Sequence, residues 1–278
     1  MLHKTSKKIT IESSPHAVSA QAMLLHINAS AASGMTYSSE DASGFIKTLF
    51  KGLKDSFPKS FTSNSPKNVD VKLLDDLAKR FNSKPLSKVG STPISIQDGL
   101  QVDLKTWIAT LHECYAKLGS ELTEAIEGLK KLFAILINDP DKIKSLSDYG
   151  SVEKSMLDEV NTKFQSMFGQ SNRSSRATIF DMVRTVEDIA TARSDYGQLL
   201  EARVRLDVKK ISTDIDRINE LAETFLDKYS LRLASNRRAV SDLSLHVHAI
   251  AEGVTLLSLL DYSFSVLDKT VKDITKKI

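Results

Sequence analysis

Apolar side chains recur at alternating steps of three and four residues through the C-terminal segment 240–278, with one slip near residue 260. This spacing places them on one face of an α-helix, and that face must be covered by another element. A second stretch with the same spacing runs through 204–229. Proline, which breaks helices by removing a backbone donor, is absent after Pro140. The C-terminal half therefore favours long helices that pack through apolar seams.

The two seams predict how this half folds back on itself. The first consists of Val204, Val208, Ile211, Ile215, Ile218, Ala222, Phe225 and Tyr229. The second consists of Val240, Leu243, Val247, Ile250, Val254, Leu257, Leu260, Phe264, Leu267, Val271, Ile274 and Ile278. Residues 230–238 carry the turn signal Ser235-Asn236. We therefore expect 177–230 and 239–278 to form an antiparallel coiled-coil hairpin.

Other helices are predicted upstream. The segment 103–138 keeps one apolar face for about ten turns, and Gly119-Ser120 either bends this helix or divides it into a hairpin. Shorter helices are predicted over 69–81 and 151–168, and no β pattern of comparable length is present. The predicted fold class is all-α: an elongated bundle of long amphipathic helices with a C-terminal antiparallel coiled-coil hairpin.

The N-terminal third differs in composition from this helical body. Residues 1–40 form a Ser/Ala-rich, charge-poor arm. Residues 41–98 contain a basic amphipathic segment over 44–57, a linker and a short helix, and 99–278 form the body. Segments such as 44–57 bind membrane surfaces or partners, or fold onto their own protein.

Charge is unevenly distributed along the chain. Residues 1–90 hold thirteen Lys/Arg and seven Asp/Glu, whereas the remaining residues hold 25 and 28. A basic leader is compatible with nonspecific contact to DNA phosphates, and equally with a solvated segment. In the body, Arg173, Arg176, Arg184, Arg193, Arg203, Arg205, Lys209 and Lys210 interleave with acidic residues. That interleaving favours a solvated helix face.

No targeting or membrane-spanning segment is predicted. The longest apolar run, at 254–260, is shorter than the roughly 18–20 residues that cross a bilayer. Gln21, His26 and Asn28 interrupt the only stretch that resembles a signal-peptide core. Arginine is absent before Arg80, which argues against a mitochondrial transit peptide. We therefore expect an intracellular protein.

Residues suited to catalysis or metal binding are few. Cys114 lies between Leu111 and Leu118 on a helical face, which predicts a buried thiol. His246 and His248 are two residues apart and would point to different sides of a helix. The segment 139–150 lacks the glycine and terminal glutamate of a calcium loop. The sequence therefore predicts no catalytic residue, cofactor or metal site, and a protein that is not an enzyme.

One short stretch lies at the boundary between the arm and the rest of the chain. Ser38-Ser39-Glu40, followed by Asp41, resembles the small-residue–X–Glu sites cut by prohead proteases of large tailed phages. Related tripeptides occur at 10–12, 119–121, 125–127 and 151–153. Glu40 is favoured because its Ser/Gly-rich surroundings predict an accessible loop, whereas most of the others fall within predicted helices. Ser38, Glu40 and Asp41 are the candidate cleavage-recognition residues.

A charge-poor segment ahead of a helical body is similar to the layout of internal head proteins of giant tailed phages. This resemblance implies a non-enzymatic virion protein that loses its propeptide, is packaged with DNA inside the head, and contacts capsid or other virion proteins. It would occupy the host cytoplasm during assembly. The alternatives are a secreted helical effector or pore-forming toxin, and a cytoplasmic coiled-coil scaffold. The heptad seams also allow an oligomer.

Overall fold

The computed structural model describes residues 72–83, 86–139, 154–168, 176–235 and 237–278, together with 44, 47, 48 and 50–54. Most of these residues are helical, which confirms the all-α prediction. The helices are α1 (Lys72–Ser83), α2 (Leu86–Val89), α3 (Leu104–Asn138), α4 (Lys154–Gln165), α5 (Ile179–Met182), α6 (Val186–Arg205), α7 (Val208–Ser235) and α8 (Arg237–Lys277). Two short strands, β1 (Pro93–Ser95) and β2 (Arg176–Thr178), pair antiparallel with Ile94 opposite Ala177.

The chain is organised into two compact units. The first comprises Met1–Pro58, Ala125–Ser151 and Ser212–Ala251, and the second comprises Lys59–Glu124, Val152–Ile211 and Glu252–Ile278. The helices α3 and α8 each contribute residues to both units. The earlier division at residues 40 and 98 followed changes in composition, whereas these units follow contacts between distant parts of the chain.

Aromatic side chains form the centre of the first unit. The ring of Phe133 meets those of Phe50 and Phe225 edge-on, at centroid distances of 5.3 and 5.9 Å. Such edge contacts suit the negative face and positive edge of aromatic rings. Near the end of α3, the hydroxyl of Tyr229 donates to the Ile137 carbonyl at 3.3 Å. Tyr229 itself has non-helical backbone angles, so α7 bends there, at the edge of the predicted 230–238 turn.

The described part of the basic amphipathic segment belongs to this first unit. Phe50 and Leu53 are buried, whereas Lys47, Lys51 and Lys54 are exposed. Lys47 and Lys54 form ion pairs with Asp227 and Asp216. The described residues therefore fold onto their own unit, which was one of the predicted alternatives. Phe45, Leu49 and Phe57 lie outside the described residues.

In the second unit, α3 is a continuous helix through Gly119-Ser120. The helix is neither divided nor ended there, and glycine instead permits a close approach. A Cβ atom at position 119 would lie 2.9 Å from Leu206 Cδ1. The helix begins at Asp103, whose carboxylate accepts from the Thr106 amide at 2.8 Å, an N-cap bond. The observed bounds agree with the predicted 103–138.

The segment 177–230, predicted as one arm of the hairpin, is not a single helix. Two short breaks divide it, at 183–185 and 206–207, and the seam residue Val204 is exposed. Thr185 and Asp188 form a reciprocal capping box that begins α6. Asp207 accepts from the Lys210 amide at 2.9 Å and begins α7. These caps satisfy backbone donors that a continuous helix would satisfy itself, and Gly197 lies undisturbed within α6.

Within the part of the chain that the structure describes, one helical stretch meets the criteria of length and composition for a membrane span. It is His246–Lys277, and half of its most apolar part is buried within the chain. A buried core helix meets the same criteria. The longest unbroken apolar run of this stretch, 254–260, is too short to cross a bilayer, so the prediction from apolar runs did not indicate this stretch.

Candidate functional site

Charged and aromatic side chains of the second unit converge at the end of α6. The guanidinium of Arg203 donates to Asp261 Oδ1 of α8 through Nε, at 2.9 Å, and through Nη2. The two side chains are only 10% and 14% exposed. Burying one such charge alone would be costly, so each requires the other. The pair links two helices whose contact residues are far apart in the sequence.

Two aromatic rings complete the surroundings of Arg203. The guanidinium carbon lies 4.4 Å from the centroid of the Phe264 ring, a cation–π geometry. The ring of Phe264 is stacked on that of Tyr196, with centroids 6.2 Å apart and planes 10° from parallel. The N–H groups of Arg203 therefore bind a carboxylate, and the plane of its guanidinium packs on an aromatic ring.

Two buried tyrosines flank this Arg203–Asp261 pair. The Tyr115 hydroxyl donates to Asp261 Oδ1 at 3.3 Å. Burial raises the pKa of Tyr115 well above its ordinary range, and Asp261 adds to the shift while Arg203 opposes it. Burial likewise raises the pKa of Tyr196, with a further contribution from Asp268. The Tyr196 hydroxyl forms no hydrogen bond with any described residue.

The polar contacts continue along α8 towards β1. Trp107 Nε1 donates to Ser263 Oγ at 2.9 Å, and this hydroxyl donates to Gln97 Oε1 at 2.8 Å. A buried indole N–H needs such an acceptor.

Side chains further along α8 bind the backbone of β1. Thr270 Oγ1 donates to the Ser95 carbonyl at 3.1 Å, and Lys277 Nζ donates to the Pro93 carbonyl at 2.8 Å. Asp273 accepts from the Ser95 amide at 3.3 Å. A strand edge with unpaired groups is a site for unwanted pairing, and α8 satisfies these groups.

Chemically, this site is suited to holding α3, α6 and α8 together. It consists of the Arg203–Asp261 pair with Tyr115, Tyr196 and Phe264. The donors of Arg203 point at a carboxylate that is already bonded to Tyr115. Among the described residues, no three His, Cys, Asp or Glu side chains are grouped to hold a metal ion. His246 and His248 both lie on α8.

Cys114 is buried, as predicted. Its Sγ contacts the Val160 carbonyl oxygen at 3.8 Å, and burial raises the pKa of the thiol to about 11. Since the thiolate is the reactive form, only on the order of 0.1% is ionised at pH 8. We expect Ellman's reagent to react at least ~100-fold more slowly with the folded protein than with the same chain in denaturant. Equal rates would contradict the burial of Cys114.

The predicted residues have different outcomes in the structure. Ser38, Glu40 and Asp41 lie outside the described residues, as does most of the 139–150 segment. Several arginines of the predicted solvated face form ion pairs, Arg193 with Asp75 and Arg205 with Glu201. Arg203 was assigned to that face, but its side chain is only 10% exposed and faces Asp261. Its partner Asp261 follows Leu260, where the apolar seam slips by one residue, and this slip was the available signal.

The comparisons with known proteins add no assignment. The chain matches no protein-family model, no curated protein and no solved structure.

Proposed function

We propose that this chain is a non-enzymatic structural or internal head protein of a phage virion, packaged with DNA after removal of residues 1–40. The observation that carries the proposal is Ser38-Ser39-Glu40-Asp41, which lies where the charge-poor arm meets the basic segment. Residues of the basic 1–90 region would contact DNA phosphates without base specificity. Capsid or other virion proteins would be its protein partners, inside the head and, during assembly, in the host cytoplasm.

The fold of α3 supports Glu40 over two competing tripeptides. Glu121 and Glu127 lie within this continuous helix, and the neighbours Ala125 and Ile126 are buried. Cleavage there would require local unfolding of a packed helix, because proteolysis favours exposed, irregular backbone. The candidates at 10–12 and 151–153 lie outside the described residues.

We also propose the antiparallel coiled-coil hairpin for α7 and the part of α8 within the first unit. Buried residues support it, since Ile215, Ile218, Ala222 and Phe225 continue the predicted seam of α7. Leu243, Val247 and Ile250 do the same for α8. Steps of three and four on both helices suit knobs-into-holes packing.

Processing provides the test. Mass spectrometry of purified particles is expected to find an N-terminus at Asp41 and few peptides that contain Met1. Glu40→Ala is expected to leave nearly all of the protein full-length. Glu121→Ala is the matched control, because it removes a similar tripeptide from within α3 and should not affect processing. Intact Met1 peptides at full abundance in wild-type particles would contradict the proposal.

A secreted helical effector or pore-forming toxin is the second candidate function. The observation that favours it is the length and composition of His246–Lys277. The burial of Phe50 and Leu53 counts against direct membrane binding by the basic segment in this fold. Flotation with anionic phospholipid vesicles distinguishes the two, because a packaged protein has no need to bind lipid. A cytoplasmic scaffold would share the fold and differ only in its partners.

A further inference from the structure

The helix α8 carries a second line of side chains on the side opposite its buried seam. Within the second unit the buried seam runs through Val254, Leu257, Leu260, Phe264 and Leu267. Most residues of the second line lie two positions from a seam residue, which is about 200° around the helix. We call it the outer line, and it consists of Glu252, Thr255, Leu259, Tyr262, Val266 and Lys269.

The outer line has the spacing of a coiled-coil seam and a graded exposure. Its steps alternate three and four without a slip. Tyr262, near the middle, is 61% exposed. Leu259 and Val266 are half-buried beside it, and the charged ends are exposed. The helix thus presents a short apolar centre between one acidic and one basic end.

We propose that the outer line binds a second copy of this chain, with the two α8 helices antiparallel about a two-fold axis between positions 260 and 261. This axis brings Leu259 opposite Tyr262 of the second copy and Thr255 opposite Val266. It brings Glu252 opposite Lys269. A two-fold interface contains each of these three contacts twice, so the two helices share six facing residue pairs. Antiparallel coiled coils pair their alternate seam positions in this way.

Charge favours this direction over the parallel one. In the antiparallel pair, each Glu252 carboxylate lies beside a Lys269 ammonium of the second copy. A parallel pair would place Glu252 beside Glu252 and Lys269 beside Lys269, and like charges at facing positions are destabilising. The acidic end also favours a second copy over an anionic lipid surface, because the Glu252 carboxylate would be repelled by the headgroups.

The surface next to the outer line adds a further apolar side chain. Val204 is 69% exposed, and the residue before it, Arg203, binds Asp261, the residue before Tyr262. A contact based on one helix pair and this flank is small. We therefore expect a dissociation constant on the order of micromolar. The proposal rests on α8 alone and does not depend on a virion role.

Cysteine cross-linking tests the direction of the pair in the full-length chain. Glu252→Cys/Lys269→Cys is expected to form disulfide-linked dimers under mild oxidation, because each pair of thiols would meet across the interface. Glu252→Cys alone should not, since the two α-carbons would lie on the order of 26 Å apart. A Cys114→Ala background removes the native thiol. Efficient cross-linking of Glu252→Cys alone would indicate a parallel pair and overturn the proposal.

Sedimentation equilibrium tests the surface itself. Tyr262→Lys is expected to weaken dimerisation at least ~10-fold with an unchanged melting temperature. Phe180→Lys is the matched control, because Phe180 is 48% exposed in the same unit but lies on α5. Glu252→Lys should weaken the dimer, and adding Lys269→Glu should restore it. A wild-type chain that is monomeric up to ~100 μM would overturn the proposal. Flotation with phosphatidylglycerol vesicles that Tyr262→Lys abolishes would also overturn it, and would assign the outer line to lipid.

Discussion

Replacing Arg203 with methionine is expected to lower the free energy of unfolding by about 3–5 kcal/mol. The variant keeps an apolar stem but removes the positive charge beside Asp261, whose side chain is 14% exposed and would keep, among the described residues, only the hydrogen bond from Tyr115. The contact with the Phe264 ring is lost as well, and this adds a smaller effect. Equilibrium urea unfolding, followed by far-ultraviolet circular dichroism, measures the change.

Two further variants test whether the loss of stability comes from the uncompensated charge of Asp261 or from a general disruption of α6. Arg203→Met/Asp261→Leu is expected to recover most of the loss, because it removes both charges and leaves apolar groups of similar volume. Arg205→Met is the matched control, since its exposed guanidinium binds only the exposed Glu201 in the described part of the chain. It should change stability little. A loss below ~1 kcal/mol for Arg203→Met would contradict a buried Arg203–Asp261 pair.

Alkaline pH is expected to destabilise the protein through three buried groups. Burial raises the folded-state pKa of Tyr115 and Tyr196 above their ordinary value of 10.0, and that of Cys114 from 9.0 to about 11. Above the ordinary pKa the unfolded chain releases these protons while the folded chain keeps them. The contribution of these three groups to stability is therefore fully present below about pH 9 and is lost as the pH rises. Each group contributes on the order of 1.4 kcal/mol per pH unit, until its folded-state pKa is reached.

Urea unfolding between about pH 8 and pH 12, with phenolate absorbance as a second signal, measures this dependence. The phenolate signal of the two buried tyrosines should appear only as the chain unfolds. Tyr196→Phe should flatten the alkaline decline without loss at neutral pH, because the Tyr196 hydroxyl has no hydrogen-bond partner among the described residues. Tyr115→Phe should also flatten the alkaline decline, but it removes the hydrogen bond to Asp261 as well. Ionisation of all tyrosines before unfolding would contradict their burial.

Local sequence signals predicted the helices of the chain well. The segment 103–138 agrees with α3 because its apolar positions repeat every three or four residues and Pro140 cannot continue a helix. The burial of Cys114 followed from the same periodicity. These features depend on side chains three or four residues apart, so no knowledge of distant elements is needed.

Breaks within a periodic segment were harder to predict. Apolar spacing continues through Leu206 and Val208, yet Asp207 caps a new helix between them. Thr185 and Asp188 also carried a readable capping signal. The apolar pattern by itself does not reveal these caps, and a cap contributes about 1 kcal/mol to where a helix begins.

By itself, the sequence determined that this chain is helical, where most of its helices lie, and that one face of each is apolar. Those properties arise from spacing along one helix. Only the tertiary structure decided that Arg203 is largely withdrawn from solvent, because its partner Asp261 lies 58 residues away and an exposed arginine has the same local sequence. It also decided which face of α8 is covered and that Tyr262 remains exposed, since burial depends on which distant elements pack against each face.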